Sequence, residues 1–187
     1  MKKMAVVALT GMMLCLTGCG SVAGKYDANT LIITKDNTYT DVSVEDYTGL
    51  DVTKEDLQSY VEKQISTYQA DESVKLDELT LEKNTAKLVM SYQNIEVYNA
   101  VNGTAYQAVE AGSFQYSDQD VKGMVSPDDG ALDETAVSEL LQKEDARVLV
   151  LSADTDVVVK GKLLAYKDAE YENGTLHAKD GSVIVYK

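Results

Sequence analysis

The chain has no tryptophan, one histidine, one proline, one phenylalanine and two cysteines among its 187 residues. Each scarcity removes some chemistry. A zinc site built from histidine and cysteine needs more ligands than the chain offers. A serine triad would have to recruit His177, yet no Gly-x-Ser-x-Gly elbow is present to carry its nucleophile. Without tryptophan the favoured platform for stacking a sugar is missing. No glycine-rich phosphate loop or dinucleotide fingerprint occurs. Basic residues are also few, 17 against 31 acidic ones, for a net charge of −14. So acidic a surface repels nucleic acid and anionic headgroups, which argues against nucleic acid as a partner.

The two cysteines, Cys15 and Cys19, both fall near the start of the chain. Lys2 and Lys3 precede an apolar run of 13 residues, Met4 to Leu16, and Gly18 sets a small residue before Cys19. This is the layout of a secretory signal peptide, and the run is shorter than the roughly 20 residues of a membrane-spanning helix. Leu16-Thr17-Gly18-Cys19 resembles the bacterial lipoprotein box. The resemblance implies a diacylglyceryl group on the Cys19 sulfur, cleavage after Gly18 and acylation of the palmitate type. Two acyl chains hold a protein stably where one binds only reversibly. Cleavage leaves 169 residues with 15 basic against 31 acidic side chains, and neither a disulfide nor a free thiol. That length supports one domain burying about 70% of its unfolded surface, for which disulfides are dispensable. Residues 1–18 are thus read as the signal peptide, 19–28 as a lipidated flexible tether and 29–187 as the extracytoplasmic domain. Nine flexible residues after the cysteine span about 15–18 Å.

Along the domain, residues 30–46 read as a β-hairpin turning at Asp36-Asn37. Thr53 is placed to cap a helix over about 54–69, with Leu57, Tyr60, Val61, Ile65 and Tyr68 as its apolar stripe. Residues 74–82 and 85–93 read as strands around Lys83-Asn84, and 96–101 as a short helix ended by Asn102-Gly103. The pattern weakens from 114 to 130, where residues 126–130 hold the single proline and read as a loop, and Asp133 can cap a further helix with Val137, Leu140 and Leu141. The last forty residues read as strands at 147–151, 157–160, 162–166, 175–179 and 182–187. Asn173-Gly174 and Asp180-Gly181 are the strongest hairpin signals among them. Val183 to Tyr186 is apolar on both faces and belongs inside a sheet. The predicted fold is α+β: mostly antiparallel sheet with two or three helices in a single extracytoplasmic domain.

The arrangement resembles a group of surface lipoproteins of Gram-positive, clostridia-type gut bacteria. The resemblance is carried by Leu16-Thr17-Gly18-Cys19, residues 29–35, Val44-Glu45-Asp46-Tyr47, the helix after Thr53, residues 98–104, Gly161-Lys162 with Tyr166, and the closing residues 183–187. It runs over most of the chain and implies no activity. The stretch 44–52 with the acidic helix after it is similar to a short part of trigger-factor-type folding helpers, without their isomerase part.

Three constellations remain. Asp128, Asp129, Asp133 and Glu134 in one loop, and Asp154 with Asp156 in another, could offer oxygens to calcium, but neither matches an EF-hand loop, and turn or capping roles account for them. His177 reads as a solvent-facing or hydrogen-bonded strand residue. Twelve tyrosines could form a recognition surface or fill half-buried faces, and Tyr60, Tyr68, Tyr92 and Tyr186 suit the second role. No catalytic residue, metal or cofactor is assigned. The expected function is a non-enzymatic binding or envelope-associated domain held to the cell membrane through Cys19. The alternatives are an extracytoplasmic hydrolase using carboxylates and a chaperone-like folding helper.

Overall fold

In chain order the strands are β1 (Thr30–Ile33), β2 (Tyr39–Asp46), β3 (Val74–Glu82), β4 (Thr85–Tyr92), β5 (Gln107–Glu110), β6 (Val125–Ser126), β7 (Gly130–Ala131), β8 (Arg147–Val150), β9 (Thr155–Val159), β10 (Leu163–Glu172) and β11 (Thr175–Tyr186). The helices are α1 (Lys54–Ile65), α2 (Ile95–Asn102), α3 (Asp118–Val121) and α4 (Glu134–Leu141). The structure, a computed structural model, describes residues 21–68 and 73–187. Cys15, Cys19 and the signal segment lie outside the described residues. The α+β reading holds: one mostly antiparallel sheet, with three helices of seven residues or more and the four-residue α3.

The sheet runs β3-β4-β2-β1-β9-β11-β10-β6-β7, and β8 joins β11 to β5. Among the described residues only β1 and β9 pair in parallel. The long β10–β11 hairpin organises this order. Asn173 (φ 51°) and Gly174 (φ 86°) form its two-residue loop, and positive φ at both positions matches the twist of the flanking strands.

Asp180-Gly181 does something other than the expected hairpin. Both residues lie inside β11, because the pairing register jumps from Lys167↔Val183 to Ala169↔Ala178. Asp168 alone therefore faces residues 179–182, with Asp168 and Gly181 both in the left-handed region (φ 55° and 82°). The fully buried Ser182 closes this bulge: its hydroxyl donates to the Asp168 carbonyl at 2.6 Å and accepts from the Lys179 amide at 2.8 Å. On the other edge, β9 pairs with Leu176–Ala178 and β8 with Val183–Tyr186, the break between them falling at the bulge. Bulges bend and twist strands, so the hairpin turns a corner and belongs to two half-sheets.

The inner faces of the halves share one core. Leu31, Ile33, Met90, Tyr92, Val157 and Leu176 come from one half, and Leu149, Leu151, Leu163, Ile184 and Tyr186 from the other. The hydroxyls of Tyr39 and Tyr186 meet across it at 3.3 Å. Val183 and Val185 point the opposite way, into a second core under α4, where Val137, Leu140 and Leu141 are buried. This alternation explains why residues 183–186 are apolar on both faces: β11 is paired on both edges and covered on both sides. Gly161 links β9 to β10 so close to the chain's last residue that a Cβ there would lie 2.1 Å from the Lys187 carbonyl oxygen.

The caps predicted at Thr53, Gly103 and Asp133 are formed, while Asn94 and Ser117 cap α2 and α3 unpredicted. The Thr53 hydroxyl accepts from the Asp56 amide, and the Asp56 carboxylate accepts from the Thr53 amide in return. Gly103 ends α2 with φ 67°. Helix α1 stops at Ile65, short of the expected end, with a turn over 66–68. Tyr60 leaves the proposed stripe and is 63% exposed. At 100° per residue it sits about 60° to one side of Leu57, whereas Val61, Ile65 and Tyr68 lie to the other.

The segment read as a flexible tether is also different. Residues 23–25 form a 3₁₀ turn against the outer face of the first half-sheet, and Ala23, 1% exposed, packs with Ile32, Val42, Val89 and Val158. Small, polar composition suggests a linker, yet alanine and valine here close an apolar outer face that needs a cover.

Ser182→Ala should lower unfolding stability by about 1–3 kcal/mol, because it removes a fully buried hydroxyl that makes two hydrogen bonds, to the Asp168 carbonyl and from the Lys179 amide. Denaturant titration of the 21–187 domain, compared with the exposed Ser59→Ala as control, reads this directly.

Candidate functional site

Beside the docked segment, the outer face opens into a hollow of about 510 Å³ walled by Asp27–Asn29, residues 154–156 and 177–179, and Val44. Its centre is made by strand register. His177 on β11 lies directly opposite Asp156 on β9, so both side chains stand on the same face. His177 Nδ1 is 2.7 Å from Asp156 Oδ1. Asp154 accepts from the Asp180 amide at 2.9 Å and from Lys179 Nζ at 3.3 Å. These bonds hold its carboxyl below the usual range, the Asp180 amide contributing most. Lys87 does the same for Asp27 through a 2.8 Å contact.

Asp27 and Asp154 thus each have a lysine neighbour within the protein, and Asp156 faces the His177 ring. A histidine fixed by a carboxylate is the orienting half of an acid–base pair. The one hydroxyl lining the hollow, on Thr155, contacts the Asp156 carbonyl at 3.5 Å rather than the imidazole. The arrangement can offer the free edge of His177 and a rim of paired charges to a polar ligand.

The other acids do not converge. Asp133 caps α4 by accepting from the Ala136 amide at 2.8 Å, Asp129 accepts from the Ser126 hydroxyl at 3.3 Å, and Asp128 lies 3.6 Å from Lys162. Glu134 lines a separate hollow of about 540 Å³ between α3 and α4, with Tyr116, Val121, Leu132 and Val137. Phe114 stacks on Tyr116 at its edge, ring centres 5.8 Å apart. Among the described residues no three acids or histidines are grouped to hold a metal ion.

Five of the twelve tyrosines fill the core. Tyr92, Tyr98 and Tyr106 form a run of rings, edge-on at 5.1 Å and stacked at 5.6 Å, and Tyr39 and Tyr186 are buried beyond them. Tyr68 is half-buried and its hydroxyl donates to the Ala100 carbonyl. Burial pushes the phenols of Tyr39, Tyr92, Tyr98 and Tyr106 upward.

Sequence reasoning missed Asp41. It stands on the inner face of β2 between Leu31 and Met90, 8% exposed, with the Ser43 hydroxyl donating at 2.6 Å. Burial raises its pKa, against the lowering effect of Ser43. In Tyr39-Thr40-Asp41-Val42-Ser43-Val44 the valines mark an apolar face, which makes Asp41 read as outward. Only the cover over both faces of β2 shows otherwise.

Comparison with known proteins returns no match: no family model, no curated protein and no solved structure aligns with the chain.

The raised pKa of Asp41 has a definite sign. The folded state holds this proton more tightly than the unfolded chain, so the group's contribution is most favourable below the ordinary carboxylate pKa of about 3.9 and falls as pH rises through the folded value. Asp41→Asn should therefore gain stability relative to the parent as pH is raised from 4 to 7, measured by denaturant midpoints across that range. A pH-independent difference would contradict the assignment.

Proposed function

We propose that the chain is an exported lipoprotein, anchored to the cell membrane by acyl chains on Cys19, whose domain is a non-enzymatic binding module of the envelope. The observation that carries this reading is Leu16-Thr17-Gly18-Cys19 at the end of a basic-then-apolar segment. Among the described residues no helix is long and apolar enough to cross a membrane.

Two features support binding over catalysis. The His177–Asp156 pair has no hydroxyl set on its imidazole by the hollow's lining. A carboxylate hydrolase works with one acid kept protonated beside an ionised one. Here the raised acid, Asp41, belongs to the inner core, while Asp27 and Asp154 at the hollow are lowered.

Cys19→Ala should move the protein from the membrane pellet to the medium. Intact mass of the detergent-extracted parent should show an N-terminal Cys19 carrying a diacylglyceryl group. A variant that still sediments with membranes, or a parent with unmodified Cys19, would overturn the anchor.

A further inference from the structure

Resting on the lipoprotein reading, we infer that the domain meets the bilayer in one orientation. The outer face of β1, β2 and β4, with the segment 21–28 on it, faces the lipid, and the α3–α4 hollow faces away. The occupant of that outer face is the bilayer surface itself, and chain length carries the argument. Cys19 and Ser21 are two residues apart, which an extended chain can separate by at most about 7 Å. From Ser21 onward the chain is fixed to the sheet. The Ser21 hydroxyl donates to Glu78 on β3 at 2.5 Å and accepts from the Gly24 amide at 3.0 Å. The Ala23 amide donates to the same carboxylate at 3.3 Å, and the Ala23 side chain is buried. Further along, Lys87 Nζ donates to the Tyr26 carbonyl at 2.8 Å, and Lys160 Nζ donates to the Tyr26 hydroxyl at 3.0 Å.

A lipid on Cys19 is consequently held within two residues of a rigid surface. The nine-residue flexible linker suggested by composition would leave the domain free to tumble, whereas this one is shorter than a Debye length of about 8 Å. The face is not held there by charge, since the acidic domain is repelled by anionic headgroups. Helix α4 covers the outer face of the other half-sheet, so its solvent side is turned from the lipid. The His177–Asp156 hollow, walled by Asp27–Asn29, lies on the membrane side. Any ligand it takes is met at the headgroup layer, while the α3–α4 hollow is presented to partners farther from the membrane.

The absence of other cysteines from the mature chain makes the test direct. The lipidated full-length protein, carrying Lys25→Cys on the docked segment or Glu139→Cys on α4, is labelled with a fluorophore. It is then reconstituted into phosphatidylcholine vesicles containing a headgroup-attached quencher. Quenching at position 25 should exceed that at 139 several-fold. A Gly–Ser insert of about twenty residues between Gly20 and Ser21, spanning roughly 25 Å, should erase the difference. Equal quenching at the two positions, in protein that floats with the vesicles and melts like the parent, overturns the orientation and leaves the anchor standing. Protein that stays behind when the vesicles float overturns both.

Discussion

The Ser182 hydroxyl, bonded to the Asp168 carbonyl on one strand and the Lys179 amide on its own, is the constraint on which the rest of the architecture depends. It fills a bulge in which four residues of β11 face one residue of β10. A flat β10–β11 hairpin would carry all its neighbours in one open sheet with two wet faces. The corner instead folds the sheet over its own inner face, and the core that results draws residues from both halves. The Ser182 hydroxyl is the least replaceable part of the corner, since the residue is fully buried and its two bonds tie both strands together.

Bending leaves two outer faces, and the chain covers each differently. Helices α3 and α4 close one over Val183 and Val185. The residues after the predicted lipid attachment site close the other over Ile32, Val42 and Val158. The second cover is small and held by polar contacts that are individually weak, but they act together around one buried alanine. Its edge forms the wall of the His177 hollow, so packing of this segment and the shape of that hollow are coupled. The same economy appears inside. Tyrosines serve as core residues because their rings fill space there while the hydroxyls of Tyr39 and Tyr186 meet each other and that of Tyr92 donates to the Met90 sulfur.

Much of this was legible in the sequence, for physical reasons that vary by element. Residues 30–46, 74–82 and 85–92 were readable because alternation and turn residues agree. Helix α4 was readable from Asp133 and three leucine-or-valine positions on one face. The Asp-Gly pair at 180–181 misled because a bulge and a two-residue turn both need a left-handed glycine. Only the pairing of β10 on both sides of it distinguishes them. Strand β5 and the short β6 and β7 carry too few residues for a period to show. The His177–Asp156 contact joins residues 21 apart through register, and Asp41 is buried by elements distant in sequence. Local pattern encodes neither.

Native-state hydrogen exchange tests the central claim, that one bent hairpin carries both half-sheets, most directly. The amides of β11 on both sides of the bulge, Leu176–Ala178 and Val183–Tyr186, should open with the same free energy and the same denaturant dependence as global unfolding. If one side exchanges through a smaller, separate opening while the other stays protected, the two halves are independent and the account is wrong.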